Sequence, residues 1–169
     1  MEFLKIILLC ILSAITYGII HDQITARVCV EYFTIGHPPV FHTESPTLLA
    51  FGWGVIATWW VGLFLGVPLA LVASVGKKPQ LTARQLAPLI FKLLCVMAVF
   101  ALAAGIIGYL LVSRGTIRLP GFVVQAIPEN KRIVFMADWS THLTSYLVGF
   151  VGGIVVIILA AIRRFRAAP

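Results

Sequence analysis

Four apolar runs, each close to the length that crosses a hydrocarbon layer, leave this chain little choice of fold. They cover about residues 3–20, 47–75, 86–112 and 143–162. A bilayer core about 30 Å thick takes roughly 20 apolar residues as a helix. Helices and closed barrels alone survive there, because an unpaired backbone N–H or C=O finds no water. Composition agrees: 60% of the residues are hydrophobic and 11% charged, against about a quarter charged in a soluble domain. The sequence therefore predicts an all-α fold, an integral membrane four-helix bundle forming a single membrane domain over residues 1–169. The lipid bilayer is its expected partner. The net charge of +7 does not argue for nucleic acid, because basic residues gather where spans would meet a cytoplasmic surface.

Those residues set the orientation. Lys77, Lys78 and Arg84 separate the second and third runs; Arg163, Arg164 and Arg166 follow the fourth; Lys5 lies in the first. The positive-inside rule then puts both ends in the cytoplasm, N-in/C-in. Arg27, Arg114, Arg118, Lys131 and Arg132 remain outside, so the bias is clear without being absolute. An outer-face loop is expected over 21–46 and a partly covering loop over 113–128, whose stretch 122–127 is apolar enough to rest on the membrane. The first run reads as an uncleaved span. It continues past Ala14 to Ile20, and Leu12 is bulky where a signal-peptide cleavage site needs a small residue.

Local signals sharpen the helices. Ser45-Pro46 is a favourable N-cap followed by proline at the first helical position. Thr82 and Gln85 have capping-box spacing. The last helix is expected to run unbroken from about Glu129 to Arg166. Ala50, Gly54, Thr58, Gly62, Gly66 and Ala70 recur every fourth residue, as do Thr141, Ser145, Gly149 and Gly153. Such stripes let another backbone approach closely. The Gly62/Gly66 and Gly149/Gly153 faces are thus candidate contacts within the chain, with a second copy or with another membrane protein. Trp53, near the outer boundary, suits an interfacial indole. There is no Cys-x-x-Cys, and Cys29 reads as a small buried residue rather than a reactive thiol.

In this orientation all four histidines, His21, His37, His42 and His142, fall at or near the outer face, together with Asp22, Glu31 and Asp138. Asp138 and His142 are one helical turn apart. Helical rise from the cytoplasmic charges brings His21 and His142 to similar heights. His21, Asp22, Asp138 and His142 are therefore predicted to form one polar cluster, with His37, His42 and Glu31 as weaker candidates from the connecting loop. Imidazoles with carboxylates make a donor set for Zn, Mn or Fe. The same residues also suit a purely structural clamp between helices. Haem is the less favoured cofactor, since no Cys-x-x-Cys-His is present. Arg27 and Glu31, at i and i+4, read as an ion pair.

The run from His21 to Arg27 (HDQITAR), continued by EYFTIGHP from Glu31 to Pro38, resembles the hallmark of a family of small uncharacterised four-span bacterial membrane proteins. The likeness extends through Ser45-Pro46-Thr47 to Trp59-Trp60, about a third of the chain. It implies a bacterial inner-membrane location and nothing catalytic. Three functions stay open: a membrane protein with an outward-facing metal or cofactor site, an accessory subunit of another membrane protein, and a small transporter. Against the last, no span after the first carries a central acid. Whether the chain is an enzyme is not decided by its sequence.

Overall fold

The computed structural model of the protein describes residues 1–166. It is all-helical, and four helices are long and apolar enough to cross a membrane: Glu2–Val28, Pro46–Ser74, Ala83–Ser113 and Glu129–Arg166. In chain order the elements are α1 (Glu2–Val28), a single turn α2 (Glu31–Thr34), α3 (Pro46–Ile56), α4 (Trp59–Ser74), α5 (Ala83–Ser113), a short α6 (Gly121–Ala126) and α7 (Arg132–Arg166). Large apolar side chains point outward along them; Phe91 is 67% and Leu102 65% exposed. A hydrocarbon surround accommodates such surfaces and water does not.

Two boundaries differ from the sequence expectation. The predicted loop 21–46 begins eight residues late, because His21 to Val28 continue α1. Their polarity lowers hydropathy but does not break a helix, and no glycine or proline stands in the way. The side chains reinforce the turn: Thr25 Oγ1 donates to the His21 carbonyl at 3.2 Å, and Arg27 Nη1 donates to Gln23 Oε1 at 2.6 Å. The second span is two helices, broken at Ala57 and Thr58. Thr58 Oγ1 donates back to the Gly54 carbonyl, a bond that bends helices. The Ala57 carbonyl accepts from Tyr146 Oη at 3.3 Å. The last helix opens with a 3-10 turn over Glu129–Lys131 that leads straight into α7, so the helical run covers Glu129–Arg166 as expected, with a tighter first turn. The covering stretch is also more ordered than a loop: α6 buries Val123, and Ile127 beside it, against Cys29 and Phe135.

The capping box forms as its spacing predicts. Thr82 Oγ1 accepts from the Gln85 N–H, and Gln85 Oε1 accepts from the Thr82 N–H. Ser45 precedes Pro46 at the start of α3 but makes no side-chain cap bond.

Packing follows the small residues. α1 lies against α3 and α4, α5 against α7, and α4 touches α7. The stripe on α3 and α4 faces α1. A Cβ on Gly54 would sit 2.6 Å from the Ile19 nitrogen, and one on Gly62 2.7 Å from the Cys10 carbonyl oxygen and from Ile11 Cα. On α7, Gly149 meets the Met97 side chain and Gly153 the Leu65 side chain. Both faces are thus occupied within the chain.

The basic end is closed by side chains that cap neighbouring helices. Arg164, only 5% exposed, donates to the carbonyls of Val72, Val75, Lys78 and Pro79 at 2.7–3.0 Å. It thereby satisfies the end of α4 from the end of α7, where a cation also meets the negative end of the helix dipole. Glu2 Oε2 accepts the Ala83 N–H at 3.0 Å and does the same for the start of α5.

This packing separates two substitutions that sequence alone treats alike. Gly62→Ala drives a methyl into backbone, which cannot yield, and should cost about 1–3 kcal/mol. Gly149→Ala meets the far end of Met97, 3.0 Å away, which can turn aside. In thermal unfolding, Gly62→Ala should melt well below the parent and Gly149→Ala close to it.

Candidate metal centre

Near the far ends of α1 and α7, opposite the basic end, His21, Asp22 and His142 each offer a donor atom, and the three atoms lie within 4.8 Å of one another. His142 is 8% and Asp22 5% exposed. The extension of α1 past Ile20 puts His21 and Asp22 on rigid helix rather than loop.

The hydrogen bonds fix the chemistry of His142. Its Nδ1 lies 2.8 Å from the Asp138 carbonyl oxygen, one turn earlier on the same helix. A carbonyl can only accept, so Nδ1 carries the proton and donates. In the neutral ring, Nε2 then presents a lone pair. That lone pair faces Asp22 Oδ1, 3.2 Å away. Nitrogen and carboxylate oxygen can share this spacing if a proton lies between them or if a cation does. His21 Nε2 is buried and has no hydrogen-bond partner. The His21 ring meets that of His142 edge to face, centroids 4.6 Å apart.

The remaining sequence candidates occupy different places. The Asp138 carboxylate is not one of the three clustered donors. It is 2% exposed, with Oδ2 unpartnered, and its contribution to the cluster is its backbone carbonyl. His37 sits above the cluster, its Nδ1 donating to the Tyr32 carbonyl at 2.8 Å and its ring 4.5 Å from that of Trp53. Burial lowers the affinity of the His37 imidazole for a proton, and the Tyr32 carbonyl only partly offsets this. Trp53 is itself 8% exposed, packed by His37 and Phe41 rather than standing free at an interface. His42 is exposed beyond the turn.

Glu31 pairs with Lys131 at 3.0 Å, not with Arg27. The expected i, i+4 pair fails because α1 ends at Val28 and the chain turns before Glu31. Arg27 bonds instead to Gln23 and, through Nη2, to Thr47 Oγ1 at 2.9 Å. Cys29 Sγ donates to Glu31 Oε2 at 3.4 Å. Burial pushes the thiol up to about 12, which leaves it unreactive, as expected of a buried structural cysteine.

Two features had little sequence signal. Tyr32 lies over His142, ring centroids 4.3 Å apart and nearly parallel, and forms the roof of the cluster. Only its place in the EYFTIGH run could have suggested it. Below, Tyr17 Oη and Ser145 Oγ bond at 2.9 Å and tie α1 to α7. From the cluster a cavity of about 140 Å³ extends between α1, α4, α5 and α7.

The Glu31–Lys131 pair gives a pH test. Burial alone would raise the Glu31 carboxyl, but the bond from its own backbone N–H and the Lys131 ammonium hold it below its ordinary value. A lowered folded value stabilises above the unfolded value, about 4.3, and the contribution is lost as pH falls through the folded one. The pair is partly solvated, so its worth is at most about 1 kcal/mol. Below about pH 4.5, the melting temperature of Glu31→Gln should fall less steeply than that of the parent.

Comparison with protein-family models, with curated proteins and with solved structures found no match.

Proposed function

We propose that this chain is a bacterial inner-membrane protein, an N-in/C-in four-helix bundle, that holds one divalent transition-metal ion on His21, Asp22 and His142 near its outer face. The observation that carries the reading is the bond from His142 Nδ1 to the Asp138 carbonyl, which aims the Nε2 lone pair at Asp22, with a ring nitrogen of His21 in the same group of donors within 4.8 Å of one another. Metal-binding histidines habitually donate their other ring N–H to a carbonyl or carboxylate, which fixes tautomer and orientation. Ligands about 2.0–2.1 Å from a tetrahedral ion lie roughly 3.3 Å from each other, which matches the 3.2 Å between His142 Nε2 and Asp22 Oδ1. The His21 nitrogen has to move inward to complete the set. Two imidazoles and one carboxylate suit Zn, Mn or Fe. Such a set leaves at least one coordination position for water or substrate, and a metal there would polarise a bound oxygen.

One observation favours a second reading, an interhelical clamp. His142 and Asp22 already stand within hydrogen-bond reach, and a proton between them joins α7 to α1 without any ion.

Elemental analysis of protein purified without chelators separates the two. The metal reading expects about one ion per chain, lost in His142→Ala and in Asp22→Ala and retained in His42→Ala. Metal-free parent protein that nevertheless loses thermal stability in His142→Ala would leave the clamp.

Orientation has its own test. A phosphatase that is active only in the periplasm should be inactive when fused to the C-terminus and active when inserted after His42. The reverse pattern would invert the bundle and put the cluster in the cytoplasm.

A further inference from the structure

The cavity beneath the cluster carries its imidazoles and its carboxylate at one end. At its upper end it is lined by His21, Asp22 and His142, and at its far end by Cys10, Leu69 and Val156. Cys10 is eleven residues before His21 on α1, so the cavity runs about 16 Å by helical rise. That is close to half of the ~30 Å hydrocarbon core, the depth of one lipid leaflet. Most polar groups below the cluster are already paired, Tyr17 with Ser145, Thr58 with the Gly54 carbonyl and Tyr146 with the Ala57 carbonyl, which leaves the Ser13 hydroxyl. A column of water would find few partners there, and apolar cavities stay dry and take apolar guests. An occupant must therefore be hydrocarbon along most of its length and polar at the end that meets the histidines.

We infer that this cavity binds a single-tailed lipid, its hydrocarbon chain running down between α1, α4, α5 and α7 and its oxyanion head at the His21/Asp22/His142 cluster. The head assignment rests on the metal reading above: three protein donors leave a coordination position that a carboxylate or phosphate oxygen fills. The single tail follows from the width: the volume of about 140 Å³ counts only where the centre of a water-sized sphere can stand, and spread over about 16 Å it makes a channel roughly 6 Å across, wide enough for one hydrocarbon chain and too narrow for two. The chemistry common to both heads is an oxyanion, so a fatty acid and an alkyl phosphate are both admitted and a long-chain alcohol is disfavoured.

The test uses the full chain in phosphatidylcholine nanodiscs with palmitate carrying a mid-chain diazirine. After irradiation, labelled peptides are mapped by mass spectrometry. Saturable labelling of Leu65, Leu93 or Met97 is expected, because these residues line the cavity. Unlabelled palmitate and hexadecyl phosphate should compete, and whichever competes better identifies the head; hexadecanol should compete much less. Leu94→Trp or Val61→Phe, which fill the cavity, should abolish saturable labelling. Leu102→Trp, on the outward surface, should leave it intact. Two cavity variants guard against one failing to fold, and if both melt below the Leu102 variant the parent chain decides: labelling there that unlabelled palmitate does not compete away overturns the site.

Labelling that does not saturate, or that persists unchanged in both cavity variants, would overturn the lipid site even if an ion is bound. Saturable labelling in a protein found metal-free would uphold the tail site and remove the metal. Competition by hexadecanol equal to that by palmitate would overturn the oxyanion head.

Discussion

A polar group among hydrocarbon must find its partner within the chain. That constraint orders this structure more than any single apolar contact. Desolvating an amide or hydroxyl without a hydrogen bond costs several kcal/mol on alkane scales, and three helix breaks or ends here are answered by a side chain from another helix. The break at Ala57 is answered by Tyr146 from α7. The last carbonyls of α4 are answered by Arg164, also from α7, and the start of α5 by Glu2 from α1. These bonds fix how far one helix can slide along another, which apolar packing alone would leave loose.

Close backbone approach is the complement of that constraint. Lipid tails are as apolar as leucine, so helices gain little by merely hiding leucines from them. They gain by fitting, and here fitting means glycine. Gly54 and Gly62 let α1 come within contact of the α3 and α4 backbones. α7 meets side chains instead, Met97 and Leu65, at Gly149 and Gly153. The looser contact of α7 with the middle of the fold is where the cavity lies, and the bonded pair Tyr17 and Ser145 line its wall.

The cluster sits where the two patterns meet. α1 is held by glycine packing and continues as helix far enough to present His21 and Asp22 side by side. α7 presents His142 and fixes its tautomer through the Asp138 carbonyl. Tyr32 and His37, on the segment that follows α1, close the top. On the reading proposed above, a cluster whose His142 is oriented through the Asp138 carbonyl and which opens downward onto an apolar cavity would receive a ligand with a polar head and an apolar body.

The sequence by itself determined the four apolar helices, the capping box at Thr82, the small-residue faces and the shared height of His21 and His142. Those features depend on residue periodicity and composition, which are local. It misjudged the end of α1, because hydropathy falls at His21 whereas helix propensity does not. It paired Arg27 with Glu31, because i, i+4 spacing is meaningful only while the helix continues. It treated the side chain of Asp138 as a cluster member, when the backbone carbonyl of that residue is the group that orients His142. The choice of partner for Glu31, the aromatic roof on His142 and the cavity beneath it were decided by the tertiary structure alone. Each depends on how α1 and α7 approach one another, a distance that no pattern within either segment encodes.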